Sequence, residues 1–486
     1  MSKKTTTVLL TLLGAWGLAA YSTAQSVSDA TTATTALTSP SLQPEGQIGS
    51  RIDPPNHEFF RGRRQALMAS VDGGVILVRG AASIETYERF HQSHSFWYLT
   101  GVEEPDCALV LVPKTGEEIL VVPPYNPMKA QWDGPTLRPG KAGQEATGIA
   151  EVVPGSSKTL IRLLGEALER CGDRKAIWCP QAPEELGAAS RDNLTRYQAQ
   201  WQRDPLDGRR DRNSHLADAL RREFEGVAID NLSPALDALR TIKQPEELRV
   251  LRYAAELACA GIGEAMKAVR PGQKEYELGA IAEYTFKRHG AVGISYMPIV
   301  GSGPNGCILH HWRNDRTMQV GELVVMDFAP SVHGYVADVT RTFPVSGKFT
   351  EAQRKLVSDV FDAQKAILEA IRPGVSLAKL SAIGSKLLVD RGYKPGIHIL
   401  HGPCHHLGLS VHDVSKDGFE LRPGMYITVE PGAYLTDEGM GCRIEDCVLV
   451  TEDGCEVLSR GCPSTPDEIE AFMREKGLAD VPGARG

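Results

Sequence analysis

The sequence has no long run of basic residues, and its 53 Lys+Arg are outnumbered by 61 Asp+Glu, for a net charge of −8. Nucleic-acid binders need cationic surface to meet phosphates, so that class loses its support. Through the first 240 residues no glycine pattern of the GxGxxG or GxxxxGK kind occurs, which removes the usual signs of a dinucleotide or P-loop domain there. HExxH is absent as well, excluding the helix-borne single-zinc peptidase pattern. Aromatic residues make up only 6% of the chain, yet hydrophobic residues reach 42%, too apolar a balance for wholesale disorder. Past residue 20, no apolar stretch is long enough to span a bilayer. What is present is length: 486 residues suit two or three domains, and 48 glycines without a period suit turn-rich ones.

The N-terminus has the make-up of an export signal. Lys3 and Lys4 precede the apolar run Val8 to Ala20, and Ser22-Thr23-Ala24 offers a small-residue cleavage site. Residues 1–24 are therefore expected to be a signal peptide, giving a periplasmic or secreted protein with no stable membrane insertion after processing. Residues 25–54, rich in Ser, Thr, Ala, Gln and Gly at their start, are expected to form a flexible leader. Residues 466–486 are expected to be a tail carrying one short helix, Pro466 to Lys476.

Between these ends the pattern divides near residue 238. Over 55–238, a helix at 57–71 precedes expected strands at Gly74 to Arg79, Phe96 to Thr100, Cys107 to Val112 and Glu118 to Val122. A helix over Ser157 to Arg170 and a strand over Lys175 to Cys179 follow, and helical pieces at Leu216 to Phe224 and Pro234 to Arg240 close the region. Strands alternating with helices predict a smaller α/β domain with a mixed sheet. Over 239–465, a long helical pattern from Lys243 to Arg270, interrupted at Gly261 and Gly263, leads into a second domain. Its expected strands are Leu323 to Phe328, Gly334 to Phe343, Met425 to Val429 and Arg443 to Val450. Expected helices are Glu351 to Ile371 and Leu377 to Arg391. This predicts an α+β domain with a helical layer over an antiparallel sheet.

Five donors interrupt the apolar runs of that second domain: Asp327, Asp338, His405, Glu430 and Glu445. A carboxylate inside an apolar strand is costly unless it is paired or metal-bound. Each alone also suits a cap, a turn or a hydrogen-bonded core histidine. Four carboxylates converging on one centre would repel each other, and divalent cations would reverse that repulsion. A mostly oxygen donor set with one imidazole suits Mn²⁺, Co²⁺ or Zn²⁺ better than a sulfur-rich structural zinc.

Long motifs surround these residues in order: FRGRRQAL (60–67), SFWYLTGVEEPDCALVLV (95–112), NGCILHHW (305–312), MDFAP (326–330), GYVADVTRTFPVSGKFT (334–350), HGPCHHLGLSVHDV (401–414), ITVEPGAY (427–434) and RIEDCVLVTEDG (443–454). From about residue 55 to 465 the chain resembles the pita-bread metallopeptidases of family M24B, and within them aminopeptidase P, the Xaa-Pro aminopeptidases. The resemblance implies a pita-bread fold for the second domain. It also implies two divalent ions, Mn²⁺ ahead of Co²⁺ or Zn²⁺, held by Asp327, Asp338, His405, Glu430 and Glu445, with Asp338 and Glu445 bridging. By the same resemblance, a water activated by the ions attacks the peptide carbonyl and Glu430 shuttles the proton. His412 supports the carbonyl and His310 lies close to the substrate nitrogen. His401, Tyr434 and Arg443 line the subsite for proline and the peptide beyond it. Trp97 matches an aromatic that can approach a neighbour's active site in oligomeric relatives, which are dimers or tetramers. The implied partners are peptides beginning Xaa-Pro.

A prolidase acting only on Xaa-Pro dipeptides would use the same ligands, and the match through the first domain favours the aminopeptidase. A relative that had lost catalysis would lack metal carboxylates, and all five ligands are present. Departures from the family pattern are His311, in place of a tyrosine-like neighbour of His310, Cys404 and His406 around the metal histidine, and Cys442 and Cys447 around RIED. Cys404 is a candidate nucleophile beside histidines, with a small buried thiol as the plainer alternative. The ten cysteines form no scaffold framework. Cys455 and Cys462, seven apart, are the expected bridge if the protein is exported. Cys442 and Cys447 are weaker candidates, since five extended steps separate them by roughly 16 Å.

Overall fold

The computed structural model describes residues 51–84, 86–414 and 420–478. The expected signal peptide (1–24), residues 25–50 of the leader and residues 479–486 of the tail lie outside the described residues.

The N-terminal region is built on a six-stranded mixed sheet. Its strands are β1 (Val75–Arg79), β2 (Ala108–Val112), β3 (Glu117–Val122), β4 (Glu151–Pro154), β5 (Ala176–Cys179) and β6 (Ala228–Asn231), in spatial order β4-β3-β2-β1-β5-β6. β1 to β3 pair antiparallel, while β4, β5 and β6 join parallel. Two-residue periodicity sends alternate side chains to opposite faces. Ile76, Val78, Leu109, Leu111 and Leu120 meet Phe59, Phe60 and Phe96 on one face. Val75, Leu77, Val110, Val112 and Val121 meet Leu160, Leu164 and Leu168 of the helix Ser157–Arg170 on the other. Both faces are covered, which is why these strands read as unbroken apolar runs.

The second region carries short strands in four small sheets. They are β7 (Gly293–Ile294), β8 (Ile299–Ser302), β9 (Leu323–Asp327), β10 (Pro330–Val332), β11 (Tyr335–Val336), β12 (Thr340–Pro344), β13 (Tyr426–Val429), β14 (Gly432–Leu435), β15 (Met440–Arg443), β16 (Asp446–Val450) and β17 (Cys455–Val457). Their orders are β11-β10-β7, β12-β9-β8, β13-β16-β17 and β14-β15, and every pairing among them is antiparallel. The helices Pro245–Ala268 and Glu275–Arg288 pack on β7, β8, β10 and β11, and Glu351–Ala370 packs on β13 to β15. This is the helical layer over an antiparallel sheet that the pattern predicts, the pita-bread architecture. No helix among the described residues is long and apolar enough to cross a membrane.

Several expected elements differ. Phe96 to Thr100 is the end of a helix, His94–Thr100, rather than a strand, closed by Gly101 at φ 66°. Six of its seven residues are buried, so no polar face reveals the helical period. The expected strand Gly334 to Phe343 is split, leaving Ala337–Val339 outside β11 and β12. There the Asp338 N–H donates to Cys447 Sγ (3.3 Å), whose thiol donates back to the Asp338 carbonyl (3.1 Å). Arg443 to Val450 is split at Ile444 and Glu445, where the Glu445 N–H turns to the Thr340 carbonyl (3.0 Å). The long helix runs unbroken through Gly261 and Gly263. Those glycines let rings approach: a Cβ on Gly261 would lie 2.2 Å from Phe286, and one on Gly263 3.0 Å from Phe472.

The expected Cys455–Cys462 bridge is not formed, and neither is Cys442–Cys447; all ten cysteines are free thiols. Cys455 donates to the Leu368 carbonyl (3.5 Å), whereas Cys462 is buried beside Cys259.

Candidate active site

The four candidate carboxylates sit where a strand stops or breaks. Asp327 is the last residue of β9, paired on both sides with Thr340 of β12 and Ile299 of β8. Asp338 and Glu445 occupy the two strand breaks, joined across them by a bridge between Thr340 and Glu445. Glu430 directly follows β13, and its N–H donates to the Pro403 carbonyl (2.8 Å). His405 lies on the neighbouring segment, bonded through its N–H to Thr428 Oγ1 (3.0 Å). Strand ends keep the backbone ladder while freeing side chains to turn inward, so rigid elements carry the donors.

These residues floor one cavity of about 720 Å³. Asp338, His405 and Glu445 bring one donor atom each within 4.8 Å of one another, a cluster able to hold a metal ion. Asp327 joins through Tyr296, whose hydroxyl lies 2.5 Å from Asp327 Oδ1 and 2.6 Å from Asp338 Oδ1, with one hydrogen to share between them. Glu430 joins through His405, with Oε1 lying 3.2 Å from Nε2. His405 Nδ1 faces the His406 carbonyl at 3.1 Å, which puts the proton on Nδ1 and leaves Nε2 for the cavity. Thr340 donates to Glu445 Oε2 (2.6 Å) and accepts from Arg443 Nε (3.1 Å), while Arg443 Nη2 donates to Asp327 Oδ2 (2.6 Å).

Charge on this floor is unbalanced. Asp327, Asp338 and Glu445 are 7%, 5% and 1% exposed, and among the described side chains lining the cavity Arg443 is the one permanent cation. Burial, and then the Asp338 charge against partial relief from Arg443, pushes Asp327 up to about 7. Burial and repulsion from Asp338, Glu430 and Asp327 hold Glu445 well above the carboxylate range. Glu430 moves the other way: burial opposes its charge, but the bond and charge of His405 bring it down to about 2. The imidazole of His405 is raised well above its ordinary value, since its bonds to Asp338 and Glu430 outweigh burial. Oxygen donors crowded until they resist ionising, with one oriented imidazole among them, match what a hard or borderline divalent cation requires.

His310, His401, His412 and Arg443 also line the cavity. Tyr434 stands behind them, its hydroxyl accepting from Arg443 Nη1 (3.0 Å) and lying 2.9 Å from His401 Nε2. The His401 Nδ1 faces the Gly402 carbonyl (2.9 Å), so Nε2 is left to accept the Tyr434 proton. Trp97 is not brought into this group. It is buried edge-on between Phe60 and Tyr335, in the core shared by the two regions. His311 turns away to Glu275 (3.1 Å), and His406 is buried outside the cavity, so neither adds a donor. Burial and then the Glu430 and Glu445 charges keep the Cys404 thiol protonated, which removes it as a nucleophile.

Tyr296, Thr340 and Thr428 are site residues that the sequence reasoning missed. None stands in an unusual local context; only their tertiary partners mark them. The helix Arg191–Arg203 was missed too, although Ser190 ahead of Leu194, Tyr197 and Trp201 at helical spacing was a usable signal. It brings Asp192 and Asn193 to the cavity wall.

A carboxylate and imidazole cluster flooring a substrate-sized cavity at strand ends defines a metallopeptidase site. The model of metallopeptidase family M24 matches residues 249–452, and that of the aminopeptidase P N-terminal domain matches residues 60–174. The chain is 33% identical over 460 residues to the Xaa-Pro aminopeptidase of Escherichia coli K12, covering 86% of this chain and 98% of that protein. It is 31% identical over 480 residues to the mitochondrial intermediate cleaving peptidase 55 of Arabidopsis thaliana, covering 93% and 89%. The solved structure of E. coli aminopeptidase P with the inhibitor Pro-Leu superposes with a TM-score of 0.72 at 30% identity, covering 87% of this chain and 99% of that one. The chain belongs to the aminopeptidase P group, M24B, of the pita-bread metallopeptidases.

Proposed function

We propose that this chain is an Xaa-Pro aminopeptidase, releasing the first residue of peptides with proline second by metal-dependent hydrolysis. The observation that carries this is the gathering of Asp327, Asp338, His405, Glu430 and Glu445 in one cavity. The named activity of the E. coli relative, aligned over nearly its whole length, supports the substrate class. Asp338, His405 and Glu445 would hold one ion. Asp327 and Glu430 would join them in holding a second, with Mn²⁺ ahead of Co²⁺ or Zn²⁺. Bound there, divalent ions supply Lewis-acid charge and lower the pKa of water.

The remaining chemistry belongs to side chains. A bond to proline is a tertiary amide with no N–H, so its nitrogen leaves only once protonated. As water adds its oxygen to the carbonyl carbon, Glu430 takes the water's proton at Oε and delivers it to that nitrogen, whose bond to the carbon then breaks. His412 faces the scissile carbonyl, and His310 lies near the substrate nitrogen. His401, Tyr434 and Arg443 form the proline wall, and their mutual hydrogen bonds fix its shape before substrate arrives. Trp97 would act in trans, across a dimer or tetramer contact. The domain boundary at 238/239, a homo-oligomer and export through residues 1–24 belong to the same reading; sedimentation and N-terminal sequencing of the mature protein test the last two.

Exhaustive chelation is expected to abolish cleavage, and Mn²⁺ or Co²⁺ to restore it. Activity that survives chelation would sink the reading. Mass spectrometry on proline-second tripeptides and longer peptides should show loss of the first residue alone. Cleavage confined to Xaa-Pro dipeptides would make the protein a prolidase instead.

A further inference from the structure

We propose that Asp192, supplied by the N-terminal region, is a positioning residue for His412. This rests on the reading above that His412 faces the scissile carbonyl. The two residues are 220 apart in sequence, with Asp192 Oδ2 3.2 Å from His412 Nδ1. The contact is held by backbone on both sides. Ser190 and His412 form a parallel bridge, the Arg191 N–H donates to the His412 carbonyl (2.9 Å), and the Val411 N–H donates to the Ala189 carbonyl (3.0 Å).

The carboxylate itself is aimed. Its Oδ1 accepts from Ser190 Oγ (2.6 Å) and from the Asn193 N–H (2.7 Å), so Oδ2 is left for the imidazole. The plane of the ring is set by His405, stacked 4.0 Å away at 12°. With its plane stacked and Nδ1 turned to a carboxylate, His412 is held so that Nε2 is the nitrogen that meets substrate. Asp192 carries little else. Its side chain is 65% exposed, so truncation opens no buried void. The backbone there is tethered separately by Arg191, which bonds Asp237 (2.7 and 2.8 Å) and Glu185 (2.5 Å). A purely structural role therefore predicts almost no effect of removing it.

The test is steady-state kinetics of the metal-loaded full chain on a proline-second peptide, with Asp192→Ala, Asp192→Glu, His412→Ala and the double variant. Removing a group that orients another typically costs about 10–100-fold. The expected result is a fall in kcat of that size for Asp192→Ala, with KM, metal content and Tm close to wild type. Asp192→Glu should recover part of it, and Asp192→Ala should cost nothing further in the His412→Ala background. Full kcat in Asp192→Ala beside an inactive His412→Ala overturns the proposal and leaves the role of His412 intact. Losses that multiply in the double variant also overturn it, since Asp192 would then act on something other than His412. If His412→Ala is itself fully active, the reading of His412 fails, and the proposal fails with it.

Discussion

At the scale of single residues, the site is a problem in charge that side chains alone do not solve. Asp327 and Glu445 are pushed toward the neutral form by burial and by each other's neighbours, whereas Glu430 is kept ionised by His405. Glu430, kept ionised, lies 3.2 Å from His405 Nε2 on the cavity floor, and its place there, not its basicity, is what the proton-transfer role rests on. Glu430→Gln keeps the volume and a hydrogen-bond acceptor for Thr428 (3.3 Å) but cannot carry the proton. Its kcat is expected to fall by about 10²–10⁴-fold, the usual worth of a general acid–base group. Rates on proline-second peptides, with metal content measured in parallel, check this; wild-type kcat would assign proton transfer elsewhere.

At the scale of elements, close packing overrides local preference. The helix Pro245–Ala268 contains two glycines that propensity marks as weak points, yet it continues through them because Phe286 and Phe472 press against its surface. Alanine in a helix interior is worth about 1 kcal/mol over glycine. Overpacking a filled core costs about 1–3 kcal/mol, and a Cβ only 2.2 Å from a ring carbon lies at the severe end. Gly261→Ala is therefore expected to destabilise the protein by about 1–2 kcal/mol net, read as a lower urea midpoint at unchanged slope. A stabilised variant would mean that Phe286 yields easily. The helix His94–Thr100 makes a related point. Its aromatic run looks like a strand because every side of it is buried, and Gly101, with Phe60 against it, is the local sign that it ends as a helix.

At the scale of the whole molecule, the two regions are joined by buried charge. Glu185 accepts from Arg240 Nη1 (2.7 Å), Arg191 (2.5 Å) and Ser410 Oγ (2.6 Å), and Arg240 reaches on to Asp413, next to His412. Burial opposes the Glu185 charge, but Arg240 and Arg191 prevail and hold it down at about 2. A carboxyl whose folded pKa lies below its unfolded one contributes stability above the unfolded value, 4.5 here, and loses it as pH falls toward 2. Glu185→Gln leaves two guanidiniums short of a partner and is expected to cost about 3–5 kcal/mol at pH 7. Urea unfolding of both proteins should show that gap shrinking steadily from pH 4.5 toward pH 2. A gap independent of pH would mean that the loss is packing and not charge.

What the sequence determined by itself is what short range dictates. The unbroken apolar runs VILVR and ALVLV marked strands, and the caps and stops of the helices at 157–170 and 351–370 lay where local chemistry puts them. Asp327, Asp338, His405, Glu430 and Glu445 stood out because ionisable groups within apolar strands need a reason to be there. Tertiary structure alone decided the rest. It broke two expected strands at Asp338 and Glu445, since a carboxylate reaches a shared centre only where the ladder releases its backbone. It left the cysteines unbridged, gave Tyr296 two carboxylates to bond, kept Trp97 out of the cavity and set Asp192 against His412. Those outcomes depend on which distant segments meet, and a contact across 220 residues leaves no mark on the local pattern of either partner.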